Sequence, residues 1–375
     1  MERNPSHAMQ AQPNADERAR QGFVLALKKQ VGGRLRPLIR NVYRERAAPA
    51  FEKRHGRTPT DEADMAEALY ADDLYQTWCR LARTAQEMMW DAVAAPMTRQ
   101  RDESAARFRE LTQSPNGSLE QNPELVPPRA LARIDIHLQP GGYLRDEGPD
   151  DTIAGSLYEA GGALYSQGEG IGTGVSKADV VMGFLGEQFP GFSPERILDM
   201  GCSAGSSSVP YALALPHAEV HAIDVGAGLL RYAHARAEAL GATVHFHQRD
   251  VCASGFDDGT FDLVVSHNLM HELSALDQAR MIRESFRLLR AGGIVIHQDV
   301  PLRYEHIPPL DRVIFGWDKY FNGEPYWDEY ARNDGHKMLR DAGFQEQSIQ
   351  VTTLEQGDGS FRWHVLAARK EESES

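Results

Sequence analysis

Apolar positions fall into two rhythms along the 375 residues. Up to about Arg109 they recur at three and four: Phe23, Leu27 and Val31, then Met65, Leu69, Trp78, Leu81, Met88 and Met89, which is helix period. Between these runs, Gly56-Arg57-Thr58-Pro59-Thr60-Asp61 is a turn that ends in helix-cap chemistry. From about Ser176 short apolar runs alternate with helical stretches. The pattern predicts strands over 196–200, 219–224, 243–247, 261–267 and 293–299, with late strands over 347–354 and 361–368. Helices are predicted over 177–188, 206–213, 228–240 and 275–290. Such alternation implies a mostly parallel sheet with helices on both faces.

These rhythms divide the chain. Residues 1–16 form a polar tail expected to be disordered, 17–130 an α-helical domain, 131–175 an irregular glycine-rich connector, 176–370 an α/β domain, and 371–375 an acidic tail. Hydrophobic residues at 41% and charged residues at 25% are ordinary for a globular protein. The net charge of −14 argues against general nucleic-acid binding, which needs clustered Lys and Arg. Three cysteines without metal-ligand spacing are too few for a disulfide framework. With no apolar run long enough to span a bilayer and a polar N-terminus, a cytoplasmic protein with no membrane partner is expected.

The chemistry concentrates where strands end. Ile197-Leu198-Asp199-Met200-Gly201-Cys202-Ser203-Ala204-Gly205 reads as a buried strand entering a glycine turn that opens a helix. Asp224 closes the next strand and Asp250 follows the one after. Three carboxylates therefore gather at the edge where open α/β sheets bind ligands. They suit a cofactor with ribose hydroxyls, an adenine amine and a cationic head. A dinucleotide would want G-x-G-x-x-G, whereas the glycines here are spaced G-x-x-x-G behind an acid that repels pyrophosphate.

With Ala222-Ile223-Asp224, Gln248-Arg249-Asp250-Val251, Phe261-Asp262-Leu263-Val264-Val265-Ser266-His267 and Leu289-Arg290-Ala291-Gly292-Gly293, the stretch from about Lys177 to Lys370 resembles the class I S-adenosylmethionine-dependent methyltransferases. The resemblance implies an α/β, Rossmann-like domain with a seven-stranded, mostly parallel sheet behind an N-terminal α-helical domain. It implies S-adenosyl-L-methionine as cofactor, held by Asp199, Gly201, Cys202, Ser203, Gly205, Asp224, Val225, Asp250, Val251 and His267. Asp199 would face the ammonium, Asp224 the ribose diol and Asp250 the adenine amine. Ser203 departs from the pattern, standing where the middle glycine normally sits.

The loop Ser266-His267-Asn268-Leu269-Met270-His271-Glu272-Leu273-Ser274 lacks the Asn/Asp-Pro-Pro-aromatic motif of enzymes that methylate nucleic-acid amines. It looks like that of small-molecule O-methyltransferases, in which a His followed by Asp occupies this place; here Glu272 follows His271. His271 is the expected general base, and Glu272 is expected either to orient it or to begin the following helix. His267 and His271 could meet a metal with His297 or Asp299, but histidines at helical spacing are mostly not ligands, and no metal is expected. An aromatic insertion after the fifth strand supplies the expected acceptor pocket, with Asn268, Trp317, Tyr320, Tyr326 and Trp327. The function expected is methyl transfer to a small molecule at oxygen. The alternatives are an N- or S-methyltransferase and a non-catalytic cofactor-binding scaffold. The helical domain is expected to cover the pocket or to form a homodimer.

Overall fold

Eight strands build one sheet in the computed structural model, which describes residues 5–167, 176–356 and 361–371. They are β1 (Ser118–Glu120), β2 (Arg196–Met200), β3 (Glu219–Asp224), β4 (His245–Gln248), β5 (Phe261–His267), β6 (Leu289–Asp299), β7 (Gln350–Gln356) and β8 (Phe361–Arg369). Their order across the sheet is β1-β4-β3-β2-β5-β6-β8-β7. Neighbours from β1 to β6 run parallel, and β8 lies antiparallel to both β6 and β7. Chain order reverses between β2 and β5, so a crevice opens at the carboxyl ends of these strands.

Side chains alternate across the pleat, and helices bury both faces. On one face Ile197, Ala222, Phe246 and Val265 pack with Val181, Phe184, Leu230 and Ala233 from the helices Lys177–Gln188 and Ala227–Ala239. On the other, Leu198, Met200, Val264 and Val295 meet Met281, Ile282 and Leu339 from the helices Ala275–Leu288 and Gly335–Ala342. Ser274 caps the first of these by accepting the Asp277 N–H at 3.2 Å.

The α/β class and the mostly parallel sheet are as the pattern predicts. Three details differ. First, seven strands are expected and eight are present. The extra one, β1, is the three-residue Ser118-Leu119-Glu120, which adds to the β4 edge from the region assigned to the helical domain. Second, the connector is not irregular throughout, because Ile153–Gln167 is a 15-residue helix. Its later glycines, 168–174, lie outside the described residues. Third, the tail is ordered from residue 5: Met9 is buried, and Asn14 with Glu17 forms a capping box on the helix Ala15–Lys28. Residues 1–4 and 372–375 lie outside the described residues.

A buried ion network ties these parts together. Glu159, on the Ile153–Gln167 helix, accepts from Arg236 Nε at 3.0 Å and from the Tyr232 hydroxyl, and meets His7 Nε2 at 2.9 Å. Burial alone would raise the Glu159 carboxyl, but His7 and Arg236 outweigh it and hold the group at about 2. A carboxylate held below its unfolded value stabilises the fold above about pH 4.3 and loses that contribution as pH falls towards its native value. Glu159→Gln leaves the fully buried Arg236 without its counter-charge. It is expected to cost roughly 3 kcal/mol, read as a lower urea midpoint at neutral pH. The difference from wild type should shrink as pH is lowered towards 2.

The long helix Asp73–Arg99 packs against Ile153, Leu157 and Leu164 and carries Gln86, Met89 and Trp90 to the crevice. No helix among the described residues is long and apolar enough to cross a membrane.

Candidate active site

One cavity of about 520 Å³ occupies the crevice and reaches from the β2–β3 turns to the helical domain. At the sheet end its wall includes Gly201, Ser203, Asp224, Val225, Asp250 and Val251. At the far end it includes His137, Tyr143, His271, Glu272, Glu324 and Trp327.

The sheet end is a backbone-pinned cradle. Gly201 and Gly205 have φ of 72° and 71°, the left-handed region glycine enters without cost. Ser203 shares that region with φ 47°. Because a non-glycine residue pays about 1 kcal/mol there, Ser203→Gly is expected to hold or raise the melting temperature. Asp224 is fixed from both sides: Oδ2 accepts the Ser203 N–H and Oδ1 the Gly226 N–H, each at 2.9 Å. Burial pushes its carboxyl up. Each oxygen retains a lone pair for a further donor, which is what a vicinal diol requires. Asp250 is held by the Cys252 N–H at 2.8 Å.

Asp199 stands behind this wall, fully buried and outside the cavity lining. Its Oδ2 accepts the hydroxyls of Ser207 and Ser208 at 2.7 Å, and its Oδ1 has no hydrogen-bond partner among the described residues. Burial raises it to about 6 against the opposing effect of the two serines.

The far end is a cluster of imidazoles and carboxylates. His271 lies in a single 3-10 turn, Met270–Glu272, directly after β5. Asp299, the last residue of β6, holds that turn. Its Oδ2 accepts the Met270 N–H at 2.7 Å, and its Oδ1 sits 2.6 Å from His271 Nδ1. His271 Nε2 is left facing Glu272 Oε1 at 3.6 Å. Burial would push His271 down, but Asp299, then Glu272 and Glu324, outweigh it and hold the ring at about 9. Glu272 Oε1 also accepts the Tyr143 hydroxyl at 3.1 Å and lies 3.5 Å from His137 Nε2. The second ring nitrogen of His137 meets Glu324 Oε1 at 2.6 Å. Against the upward push of burial, His137 and His271 hold Glu272 below the usual carboxylate range, whereas burial pushes Glu324 up.

The expected site residues divide. Gly201, Ser203, Asp224, Val225, Asp250, Val251, Asn268, His271, Glu272, Tyr326 and Trp327 line the one cavity. Cys202 and Gly205 shape the turn from behind the lining, and the Cys202 N–H donates to the Ile223 carbonyl at 3.0 Å. His267 is also behind it, paired with Gln298 Oε1 at 2.7 Å and the Tyr211 hydroxyl at 3.1 Å, and burial pushes it down to about 3. Two residues expected in the acceptor pocket, Trp317 and Tyr320, lie outside the cavity lining. Trp317 packs into the helical-domain core and donates to the Cys79 carbonyl at 3.2 Å, and Tyr320 is 60% exposed. Both sit on a short helix, Trp317–Phe321, whose apolar face docks on the N-terminal helices instead of turning inwards. His297, weighed as a metal partner, is bonded within the fold to Ser266 Oγ at 2.8 Å.

His137, Tyr143 and Glu324 are site residues that the pattern does not single out, and Asp299, weighed only as a metal partner, instead holds the His271 turn. The stretch Asp135-Ile136-His137-Leu138-Gln139-Pro140-Gly141-Gly142-Tyr143 belongs to no periodic element. Its paired glycines and its tyrosine were the available signal.

Residues 197–293 match the family model for a methyltransferase domain. Phosphoethanolamine N-methyltransferase 3 of Arabidopsis thaliana is 28% identical over 156 residues, 40% of this chain and 29% of that protein. Malonyl-[acyl-carrier protein] O-methyltransferase of Methylococcus capsulatus is 29% identical over 182 residues, 48% of this chain and 60% of that protein. The matched stretches thus span less than two thirds of either relative. Among solved structures, phosphoethanolamine N-methyltransferase 2 of Haemonchus contortus, in complex with phosphomonomethylethanolamine and S-adenosylhomocysteine, superposes with a TM-score of 0.41. It is 17% identical, and the match covers 51% of this chain and 52% of that one. Motifs, strand order and family match agree: the chain carries a methyltransferase domain of the class I, S-adenosylmethionine-dependent type.

Proposed function

We propose that the protein transfers a methyl group from S-adenosylmethionine to a small molecule, at an oxygen that loses its proton in the reaction. The observation that carries this reading is the continuity of the cavity: the Asp224 cradle and the His271–Glu272 cluster open into the same 520 Å³ space. When bound, the cofactor supplies a sulfonium methyl whose C–S bond breaks as the bond to the acceptor forms, the electron pair passing to sulfur.

The chain's own residues do the rest. Asp224 accepts the ribose hydroxyls, Asp250 and the Val251 N–H meet the base, and Asp199 orients Ser207 and adds negative charge for the ammonium. Trp90, Tyr326 and Trp327 wall the acceptor's space and exclude water, so the reacting atoms are held at short range before transfer. Glu272 accepts the proton of the acceptor's reacting hydroxyl, and the His271 ring, held charged by Asp299, faces the same oxygen. The family relatives named above methylate nitrogen in one case and oxygen in another. Oxygen is preferred here because the cluster is built to handle a proton at the far end of the cavity. The net charge of −14 favours a small acceptor over nucleic acid.

Incubation of the protein with trideuteromethyl-labelled cofactor and a small-molecule extract tests the reading by mass spectrometry. A labelled metabolite that requires the protein and disappears with Glu272→Gln is the expected result. Label found only on protein or nucleic acid would contradict it.

A further inference from the structure

The far end of the cavity holds more negative charge and more imidazole than a proton relay needs. Glu272, Glu324 and Asp318 line it, and Asp299 stands directly behind His271. Glu324 is 1% exposed, yet its Oε2 has no hydrogen-bond partner among the described residues, and Glu272 Oε2 is likewise buried and unpartnered. Carboxylate oxygens left in this state carry a desolvation penalty that a bound cation offsets.

The fold also goes to some expense to bring these groups together. His137 and Leu138 both have positive φ, 53° and 60°. Two side chains of the helical domain hold this strained segment: Trp90 Nε1 and Gln86 Nε2 both donate to the His137 carbonyl, at 2.7 and 3.0 Å. Strain fixed in this way gathers at functional sites. From the opposite side, the Asn322-Gly323-Glu324 loop approaches so closely that a Cβ on Gly323 would lie 2.7 Å from the Asp135 carbonyl oxygen. Only glycine lets Glu324 reach His137.

We propose that His137, His271, Glu272 and Glu324 bind a divalent transition-metal cation at the acceptor end of the cavity. One ligand atom from each lies within 4.8 Å of all the others. Metal–ligand bonds of about 2.1 Å put ligand pairs roughly 3.0–4.2 Å apart, so small side-chain rotations close the shell. Asp299 supplies the outer support such sites use: with its carboxylate on Nδ1, His271 is oriented to ligate through Nε2. Two imidazole nitrogens and two carboxylates favour zinc, cobalt, iron or manganese over magnesium or calcium, which prefer oxygen alone.

This assignment rests on reading the cavity as the methyl-acceptor site and gives that site a means of activating its substrate. The acceptor's hydroxyl oxygen occupies an open coordination position, and the cation lowers its pKa. The hydroxyl's proton passes to Glu272, whose Oε2 stays free when Oε1 ligates, and the acceptor oxygen is left as an oxyanion. An acceptor with adjacent oxygens, such as a catechol or an α-keto acid enol, would occupy two positions and fit best.

The test is cobalt titration of untagged, chelator-treated protein, followed by visible absorption and calorimetry. The expected result is a single equivalent of Co²⁺ with a ligand-field spectrum. Binding should weaken at least about tenfold in Glu324→Gln and in His137→Gln. S-adenosylhomocysteine titrated into each variant reports an intact fold, since neither residue belongs to the cofactor cradle. Cofactor binding without stoichiometric Co²⁺ binding, or Co²⁺ binding that both variants retain, would overturn the metal site and leave the methyltransferase reading standing. Stoichiometric Co²⁺ binding lost in both variants supports the site even if no methyl acceptor is found.

Discussion

Asp224→Ala is expected to weaken S-adenosylmethionine binding by at least about a hundredfold, roughly 3 kcal/mol, because two charge-assisted hydrogen bonds to the ribose diol disappear together. The loss should be large because the carboxylate is held ready. The N–H groups of Ser203 and Gly226 hold its two oxygens in place, so no reorganisation precedes binding. Those same N–H groups lose their acceptor in the variant, and the turn around Ser203 relaxes as well. Calorimetric titration of cofactor into wild type and variant gives the comparison, and circular dichroism checks the fold. Asp224→Asn should fall between the two, since an amide offers one acceptor oxygen where the carboxylate offers two.

His271→Gln is expected to lower kcat by about 10²–10⁴ while cofactor affinity stays within about twofold of wild type. Glutamine fills a similar volume and can still donate to Asp299, so the Met270–Glu272 turn should persist. What it cannot do is present an imidazole nitrogen to the acceptor or to a cation. His271 lies at the end of the cavity remote from the Asp224 cradle, so binding and turnover should separate cleanly. Steady-state kinetics on an identified acceptor, with cofactor titration on the same preparation, reads both quantities. A fall in kcat with an unchanged Kd assigns His271 to the reaction. Equal losses in both would place it in support of the fold.

The parts of the molecule built from regular elements were legible in the chain. Strand periodicity and end residues located β2 to β6, and the acids at positions 199, 224 and 250 fell where parallel strands end. Failures came where tertiary contacts overrule local pattern. Gly155 and Gly161 made the connector look irregular, yet they sit in a helix. A Cβ there would lie 2.3 Å from Tyr232 and 2.5 Å from Trp90, so these glycines serve close packing. β1 escaped because three residues between turns carry no periodicity and gain a partner only when β4 is in place.

The candidate site shows the same division. Its sheet end follows a strand-end motif, and six of the ten residues expected there line the cavity, while Asp199, Cys202, Gly205 and His267 lie behind it. Its far end is assembled from a loop, a strained turn and a strand end far apart in sequence. His137, Glu324 and Asp299 share no spacing that links them, and only the folded chain makes them neighbours of His271. The aromatic insertion was read for its rings. Asn322, Glu324, Tyr326 and Trp327 of it line the cavity, whereas Trp317 and Tyr320 turn towards the helical domain and solvent.

A crystal structure of the protein with S-adenosylmethionine bound tests the central claim most directly, because the account requires one cavity to hold both cofactor and acceptor. The predicted result is a cofactor with its ribose hydroxyls on Asp224 and its sulfonium methyl directed into the space before His271 and Glu272. A cofactor seated elsewhere, or one whose methyl points away from that cluster, would contradict the account.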